Sequence, residues 1–534
     1  MQPPQIYIPT LEGQERYIPS RSFPSPSVRL PISKEAEYQL FAHALALYLT
    51  RYNCSPEKRI WTITDGFCGA GGSSLGARNA GLWVRFAMNH SPESLQTHAY
   101  NFPECEHWQV NISAIDPHET PNTDYLWKSP ECTNHSNSKG KKFDGVDMPG
   151  LWTDREEDEM IYRSRMTMFD VVRFTKAKIA AGSPYKAIFV ENVVEARSKW
   201  PYFQPWIDEM TDLGYEHKCL YLNAQFFSPT PQSRDRFYCV FWHKDLPAPD
   251  LTFSPLAFCT TCEEQVSAYQ HWKNPLKPYG KYQKQYVYRC PKCRNEVRPY
   301  YYAALNAIDW SIEAPKIKDR HKYKRLKQLK EKTTTRIQAG LELAFQEEAK
   351  SLIPFVLDVC RTYADDDYTH LITSTLPTQT TAQSLALVIP PGSNIVSGAN
   401  EPYIVDWARI QSGLGDRPLP FLVSYYSNGK PVSSLEPVGT LTSKPRYGVI
   451  QPPVAERSYT GRLPEIGDCT FRMLSGEESK RAMGFYNADP NQEYTIIAKS
   501  EEERVRQCGL AVCPPVAQWI IERTRSAIES AFSS

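Results

Sequence analysis

At 534 residues the chain is too long for a single compact core, so two or three domains are expected. With 41% hydrophobic and 23% charged residues and a formal charge of +1, it has no global basic field, and any nucleic-acid surface must be local. No apolar run is long enough to cross a bilayer and the opening MQPPQIYIPTLEG lacks the marks of a secretory leader, so a cytoplasmic, monomeric protein without membrane contact is expected, its 14 cysteines serving as thiols, metal ligands or a nucleophile rather than disulfides.

Residues 1–58 read as a Pro- and Ser-rich arm followed from Ser33 by one amphipathic helix, EAEYQLFAHALALYLTRY. Over 59–250, short β-rich runs (WTIT, VRFAM, YLW, AIFV, CLYL, FYCVFW) alternate with helix-compatible stretches, which predicts an α/β domain with a mostly parallel sheet. Residues 251–300 break that rhythm with two CxxC pairs. Residues 301–350 form a linker whose stretch 316–347, basic and then amphipathic, predicts helix. Residues 351–465 are β-like and carry a weak internal repeat, in which PFVLDV and TLPTQTTAQSLALVIPP are echoed by PFLVSY and LEPVGTLTSKPRYGVIQPP. Helical patterning returns over 466–534.

Four segments of the α/β region carry polar chemistry at strand ends. Asp65-Gly66-Phe67-Cys68-Gly69-Ala70-Gly71-Gly72 follows the first strand; glycines there let a backbone approach a ligand, although a plain tight turn uses them too. Ser129-Pro130-Glu131-Cys132 places a thiol in a polar loop, where a thiolate would be a nucleophile and a structural cysteine would more often sit in an apolar run. Glu191-Asn192-Val193 follows AIFV; its carboxylate suits acid–base work, or simply a helix N-terminus. Gln232-Ser233-Arg234-Asp235-Arg236 sets two arginines at alternate positions, suited to clamping an anion or a carbonyl oxygen, or to an edge-strand salt bridge.

In this order, and with Arg472-Met473-Leu474-Ser475-Gly476-Glu477-Glu478 and Gln507-Cys508-Gly509-Leu510-Ala511-Val512-Cys513-Pro514-Pro515 near the end, these segments resemble the ordered motifs of the DNA cytosine-5 methyltransferase family, in its prokaryotic or phage form. The resemblance covers roughly 59–250 and 466–534. It implies a Rossmann-like S-adenosylmethionine (SAM) methyltransferase fold, with a zinc ribbon inserted at 251–300 and a separate β-rich target-recognition domain at 351–465. It further implies that double-stranded DNA is the partner and that a cytosine is flipped from the duplex. By the same resemblance Cys132 attacks C6, Glu191 holds the exocyclic amine and N3, Arg236 binds O2, Arg234 supports the covalent adduct and Gln232 shapes the loop. Asp65, Phe67, Gly69, Gly71, Asn89, Asn111, Ile112, Leu510 and Val512 fall at the donor-binding positions.

Several positions depart from the family pattern. Glu131 intervenes between proline and cysteine. Asn89 stands where an acid usually holds the ribose, Asn111 where an aspartate holds the adenine amine, and Leu510 where the last motif has asparagine. Charged acceptors bind about twice as strongly as neutral ones, so the changes, all on the donor side, open a second expectation. Methyl transfer from SAM giving 5-methylcytosine is the first; hydroxymethyl transfer from methylenetetrahydrofolate giving 5-hydroxymethylcytosine is the alternative. A catalytically silent DNA-binding protein of the same fold ranks lower because Cys132, Glu191 and Arg236 are all kept, and an RNA substrate ranks lower because of the long recognition region.

Cys259, Cys262, Cys290 and Cys293 form two CxxC knuckles, expected to hold a structural Zn²⁺ in a closed tetrahedral site. Between them YGKYQKQYVYR interleaves basic and aromatic residues, a composition suited to DNA contact and equally to the core of a small domain.

Overall fold

The computed structural model describes residues 34–52, 59–130, 167–309, 465–486 and 492–532, and parts of 311–338; elsewhere only the backbone of short strands is described. The amphipathic helix is α1 (Lys34–Arg51). The α/β unit follows as β1 (Thr62–Gly66), α2 (Gly72–Asn79), β2 (Trp83–Asn89), α3 (Pro92–Asn101), β3 (Glu106–Gln109) and β4 (Tyr125–Lys128). It continues with α4 (Asp170–Ala180), β5 (Ala187–Asn192), α5 (Glu195–Lys199), α6 (Phe203–Asp212), β6 (Tyr215–Asn223) and β7 (Asp235–His243).

These strands form one seven-stranded sheet in the order β3-β2-β1-β4-β5-β7-β6. Pairings among β1 to β5 are parallel; β7 runs antiparallel to both β5 and β6. Strand order reverses between β1 and β4, where an open α/β sheet leaves a crevice at the carboxyl ends of its strands. Register brings those ends level: Gly66 pairs with Met88 and Lys128, and Lys128 pairs with Val190.

Both faces are buried, which explains why the strands read as apolar runs. One face packs Ile63, Val84, Trp127 and Phe189 against the C-terminal helix α9 (Pro514–Ser530), which lies on α2. The approach is close: a Cβ on Gly76 would lie 2.6 Å from the Ala517 Cβ and from the Pro514 carbonyl oxygen. The other face packs Phe86, Leu126, Ile188 and Val190 against α4 and α6. The SGEE segment is a capping box. Ser475 accepts from the Glu478 N–H at the start of α7 (Gly476–Ala482), and Glu478 accepts back from the Ser475 N–H. Buried Glu478 also receives both arms of Arg472, at 2.7 and 2.8 Å.

One strand was not anticipated, and one expectation needs correction. EHWQ, too short and polar to stand out, is the edge strand β3. The basic stretch after Lys316 is not one long helix: Ile317–Lys322 is a 3-10 turn, held by Ile317 N–H donating to Cys469 O and Arg320 to Phe471 O. Tertiary pairing there overrides helix propensity. In the β-rich segment the repeated strands lie side by side and parallel: Phe355–Asp358 pairs with Phe421–Ser424, and Leu385–Val388 with Tyr447–Ile450. No helix among the described residues is long and apolar enough to cross a membrane.

Candidate active site

Glu191 and Arg236, the residues expected to act on the base, meet where β5 ends and β7 begins. Glu191 is 8% exposed and receives Arg236 Nε on its Oε1 at 3.0 Å. Arg236 also donates to the Asp235 carbonyl, so its guanidinium is fixed in the strand edge. A carboxylate and a guanidinium held together at a strand end present an acceptor and a donor fork to the same small space.

Asn192 ties this pair to the next loop. Its Nδ2 donates to the Pro130 carbonyl at 3.3 Å, while its Oδ1 accepts from Val193 N–H. The loop leaves β4 with Ser129 N–H donating to Gly66 O, at the foot of the glycine-rich segment. Cys132, two residues beyond Pro130, and Glu131 lie outside the described residues. Asn192 was not singled out from sequence; its place directly after the carboxylate is the signal that would have found it.

Arg234 is 3% exposed, and its guanidinium donates to the carbonyls of Gly509 and Ala511 at 3.2 and 3.1 Å. It therefore ties the last motif to the segment that leads into β7. Gln232 is fully buried at the start of this segment.

On the donor side, β1 runs into a loop in which Phe67, Gly69 and Gly71 all have positive φ. A side chain on Gly71 would meet the Tyr494 hydroxyl, which donates to Ala70 O; a side chain on Gly72 would strike the Val512 carbonyl. The loop is thus roofed by the C-terminal segment. Phe67, a non-glycine residue in the left-handed region, marks local strain of the kind found at ligand sites.

Asp65 is fully buried. Its Oδ2 accepts from Ser73 and Ser74, each at 2.6 Å, while Oδ1 has no hydrogen-bond partner among the described residues. Burial pushes its carboxyl up to about 6, against the pull of the two hydroxyls. Ser74 continues to His98 Nε2 at 2.8 Å, and His98 Nδ1 lies 2.7 Å from His107 Nε2. Burial drives His98 well below its ordinary value and His107 down to about 3, so both imidazoles behind the loop are neutral.

Sequence reading also missed Lys128. It ends the otherwise apolar strand β4, is fully buried, and places its Nζ 3.3 Å over the Phe174 ring and 5.4 Å from Phe67. Burial pulls its pKa down to about 7. A charged residue inside a buried apolar strand is itself the signal.

The substituted acceptors sit at the rim. Asn89 Oδ1 accepts from Ser91 N–H, opening α3; Asn111 is exposed and its Oδ1 accepts from Ser113 N–H. Ile112 and Val512 are buried, and Leu510, at the end of α8 (Glu501–Leu510), is 44% exposed. Each amide oxygen keeps a second lone pair, so the residues fit a nucleoside-bearing donor through the glycine loop, Phe67 and neutral acceptors in place of carboxylates.

The four ribbon cysteines lie together, with every sulfur within 4.8 Å of the others. Tetrahedral Zn²⁺ with bonds of about 2.3 Å would need spacings of about 3.8 Å; Cys259–Cys293 and Cys262–Cys290 are at 3.4 and 3.9 Å. Each knuckle is followed by a residue of positive φ, Glu263 and Arg294. Several of the ribbon's aromatics build its core. Tyr286 and Tyr288 are fully buried, and Tyr282 and Tyr288 pack on Phe226.

A parallel-rich sheet with one antiparallel strand, a glycine loop after β1 and an ion-paired carboxylate after β5 define a Rossmann-like methyltransferase. The model of the C-5 cytosine-specific DNA methylase family matches residues 61–526, and the chain belongs to that family. Similar solved structures include a DNA modification methyltransferase encoded within an E. coli prophage, at 14% identity, covering 88% of this chain and 99% of that one with a TM-score of 0.40. A mutant of Spodoptera frugiperda DNMT2 gives 12%, 87%, 99% and 0.41, and S. pombe Dnmt2 gives 11%, 88%, 99% and 0.42. No curated protein sequence matches the chain.

Proposed function

We propose that the protein methylates C5 of cytosine in double-stranded DNA, with SAM as donor and Cys132 as nucleophile. The observation that carries this reading is the Arg236–Glu191 pair, joined through Asn192 to Pro130 at the root of the Cys132 loop. With a flipped cytosine in that space, Glu191 meets N3 and the exocyclic amine while Arg236 faces O2, where negative charge grows as the thiolate adds to C6. Addition makes C5 nucleophilic; loss of the C5 proton and elimination of the thiolate then restore the aromatic base and free Cys132. SAM, when bound, supplies an electrophilic methyl group, and Phe67, Gly69, Gly71, Asn89, Asn111 and Val512 are the residues that would hold it. Asp65 supports the loop from behind. The four ribbon cysteines would hold Zn²⁺ as a structural ion.

A second reading rests on Asn89 and Asn111, which leave the donor side without the family's charged acceptors, and on the exposed Leu510, which stands in place of an asparagine. In it the one-carbon donor is methylenetetrahydrofolate and the product 5-hydroxymethylcytosine. Incubating the protein with duplex DNA and either donor, then weighing the digested nucleosides, separates the two. 5-Methylcytosine with SAM alone supports the first reading and 5-hydroxymethylcytosine with the folate alone the second. Modification that persists in Cys132→Ala overturns both.

A further inference from the structure

The chain as a whole is nearly neutral, yet one cleft gathers positive charge beside the candidate site. The ribbon is β8 (Leu256–Cys259), β9 (Glu264–Ser267), β10 (Tyr269–Trp272), β11 (Tyr286–Arg289) and β12 (Glu296–Val297). Its long β10–β11 loop faces the segment Val194–Ser198, and a cleft of about 510 Å³ lies between them. Lys273, Lys277, Lys281 and Lys284 line it, and Glu195 is its one carboxylate.

The loop is a built structure. Lys273 Nζ donates to Gln283 O at 2.6 Å, Lys281 N–H donates to Gln285 Oε1 at 2.8 Å, and a side chain on Gly280 would run into Gln285. It is fastened to the catalytic strands at two points. Lys281 Nζ pairs with Glu195 at 2.8 Å, and Tyr282 N–H donates to the buried Asp235 at 2.9 Å. Asp235 adjoins Arg236, and Glu195 opens α5 shortly after Glu191 at the end of β5. Lys277 and Lys284, by contrast, are exposed.

Among the described residues of the cleft wall four lysines stand against one carboxylate, a balance that an entering anion would offset. A duplex whose cytosine reaches Glu191 must run its backbone past the residues that follow Glu191. The geometry points to this cleft as a seat for DNA backbone phosphates flanking the flipped nucleotide, with Lys277 and Lys284 making the contacts and Lys281 holding the wall. The contact is to phosphate and carries no base preference. This inference rests on the reading of the protein as a DNA-modifying enzyme.

The test is duplex binding by the full chain, followed by fluorescence anisotropy across a salt series. Each phosphate contact contributes about 0.9 to the slope of log K against log salt. K277Q/K284Q is therefore expected to lower the slope by about 1.8, to weaken binding roughly tenfold per lysine near 0.1 M salt, and to do so equally for duplexes of different sequence. K277R/K284R is expected to restore the slope. If the wild type binds duplex and K277Q/K284Q binds with the same slope, the cleft is not a phosphate seat, and the cytosine reading stands untouched. If the wild type binds no duplex, or binds only RNA, the DNA reading on which the inference rests falls instead.

Discussion

Arg234 offers the sharpest separation between a role carried over from the family and a role read from geometry. Replacing it with Met keeps much of the apolar stem and removes two hydrogen bonds from a buried guanidinium to Gly509 O and Ala511 O. Hydrogen bonds to a charged group contribute about 1.5–3 kcal/mol each, but the variant also escapes the cost of burying the charge. A net loss of about 3 kcal/mol follows, which for a catalytic domain of this size is a fall in Tm of about 6–12 °C. Because those carbonyls flank Leu510 and precede Val512, whose own carbonyl roofs Gly72, the freed segment should loosen the donor pocket first. The expected kinetic signature is a raised KM for the donor with a smaller change in kcat, while duplex affinity is kept. Arg234→Lys, which retains charge but not the fork, should recover only part of the donor KM. A stable Arg234→Met protein with unchanged donor KM and a collapsed kcat would refute this, and would return Arg234 to the covalent adduct.

Other outcomes follow from the same contacts. Gly76→Ala should stabilise an isolated helix by about 1 kcal/mol, yet here the new Cβ meets α9 at 2.6 Å; calorimetry should show a net loss of about 1–3 kcal/mol, and a gain would disprove the close packing. Asp65, pushed up to about 6 by burial, binds its proton more tightly folded than unfolded. Its contribution is greatest below about 3.8, the ordinary aspartate value, and is lost as pH rises through about 6, by about 3 kcal/mol in all. Asp65→Asn should therefore flatten the fall in Tm between pH 4 and pH 7, leaving the part due to Asp235, which burial also raises to about 6. Metal analysis should find one zinc per chain, and Cys290→Ser or a strong chelator should release it. Loss of the ribbon's tyrosine packing would then appear in near-ultraviolet circular dichroism; an unchanged spectrum after zinc removal would count against a structural ion.

The α/β architecture was legible because both faces of the sheet are covered, so each central strand announces itself as an apolar run ending in Gly, Lys or Glu. EHWQ escaped for the opposite reason: an edge strand with two half-buried residues carries no such run. The glycine loop, Glu191 and Arg236 were legible as residue types at strand ends, and the structure brings Glu191 and Arg236 into contact. What could not be read was orientation. Whether Arg234 faces the base or the last motif depends on α8 and α9, which arrive from almost three hundred positions later in the chain. Lys128 was overlooked because its strand was scanned for apolar content, where one terminal lysine reads as an edge. In YGKYQKQYVYR the alternation mattered more than the composition. Its later tyrosines turn inward to Phe226, while Lys277, outside that string, shares the outer cleft with Lys284.

The two sides of the site are held by different physics. On the base side, an ion pair of Glu191 and Arg236 is kept nearly dry at a strand edge, so each charge gains strength from its partner and from exclusion of water. On the donor side, Asp65, Ser74, His98 and His107 form a buried hydrogen-bonded chain, Tyr494 closes on Ala70, and Thr97 donates to Gln507 while Gln507 Nε2 donates to Ile497 O. None of these contacts needs the carboxylates absent at Asn89 and Asn111. The loop is therefore preorganised by the protein itself, and a donor gains affinity from shape, from backbone groups and from neutral amides. Binding energy of that kind changes little with salt, whereas phosphate contacts at the proposed lysine cleft would be strongly salt-dependent. The two sides of the site are thus held independently, so a substitution on the donor side and one at Glu191 or Arg236 probe different contacts.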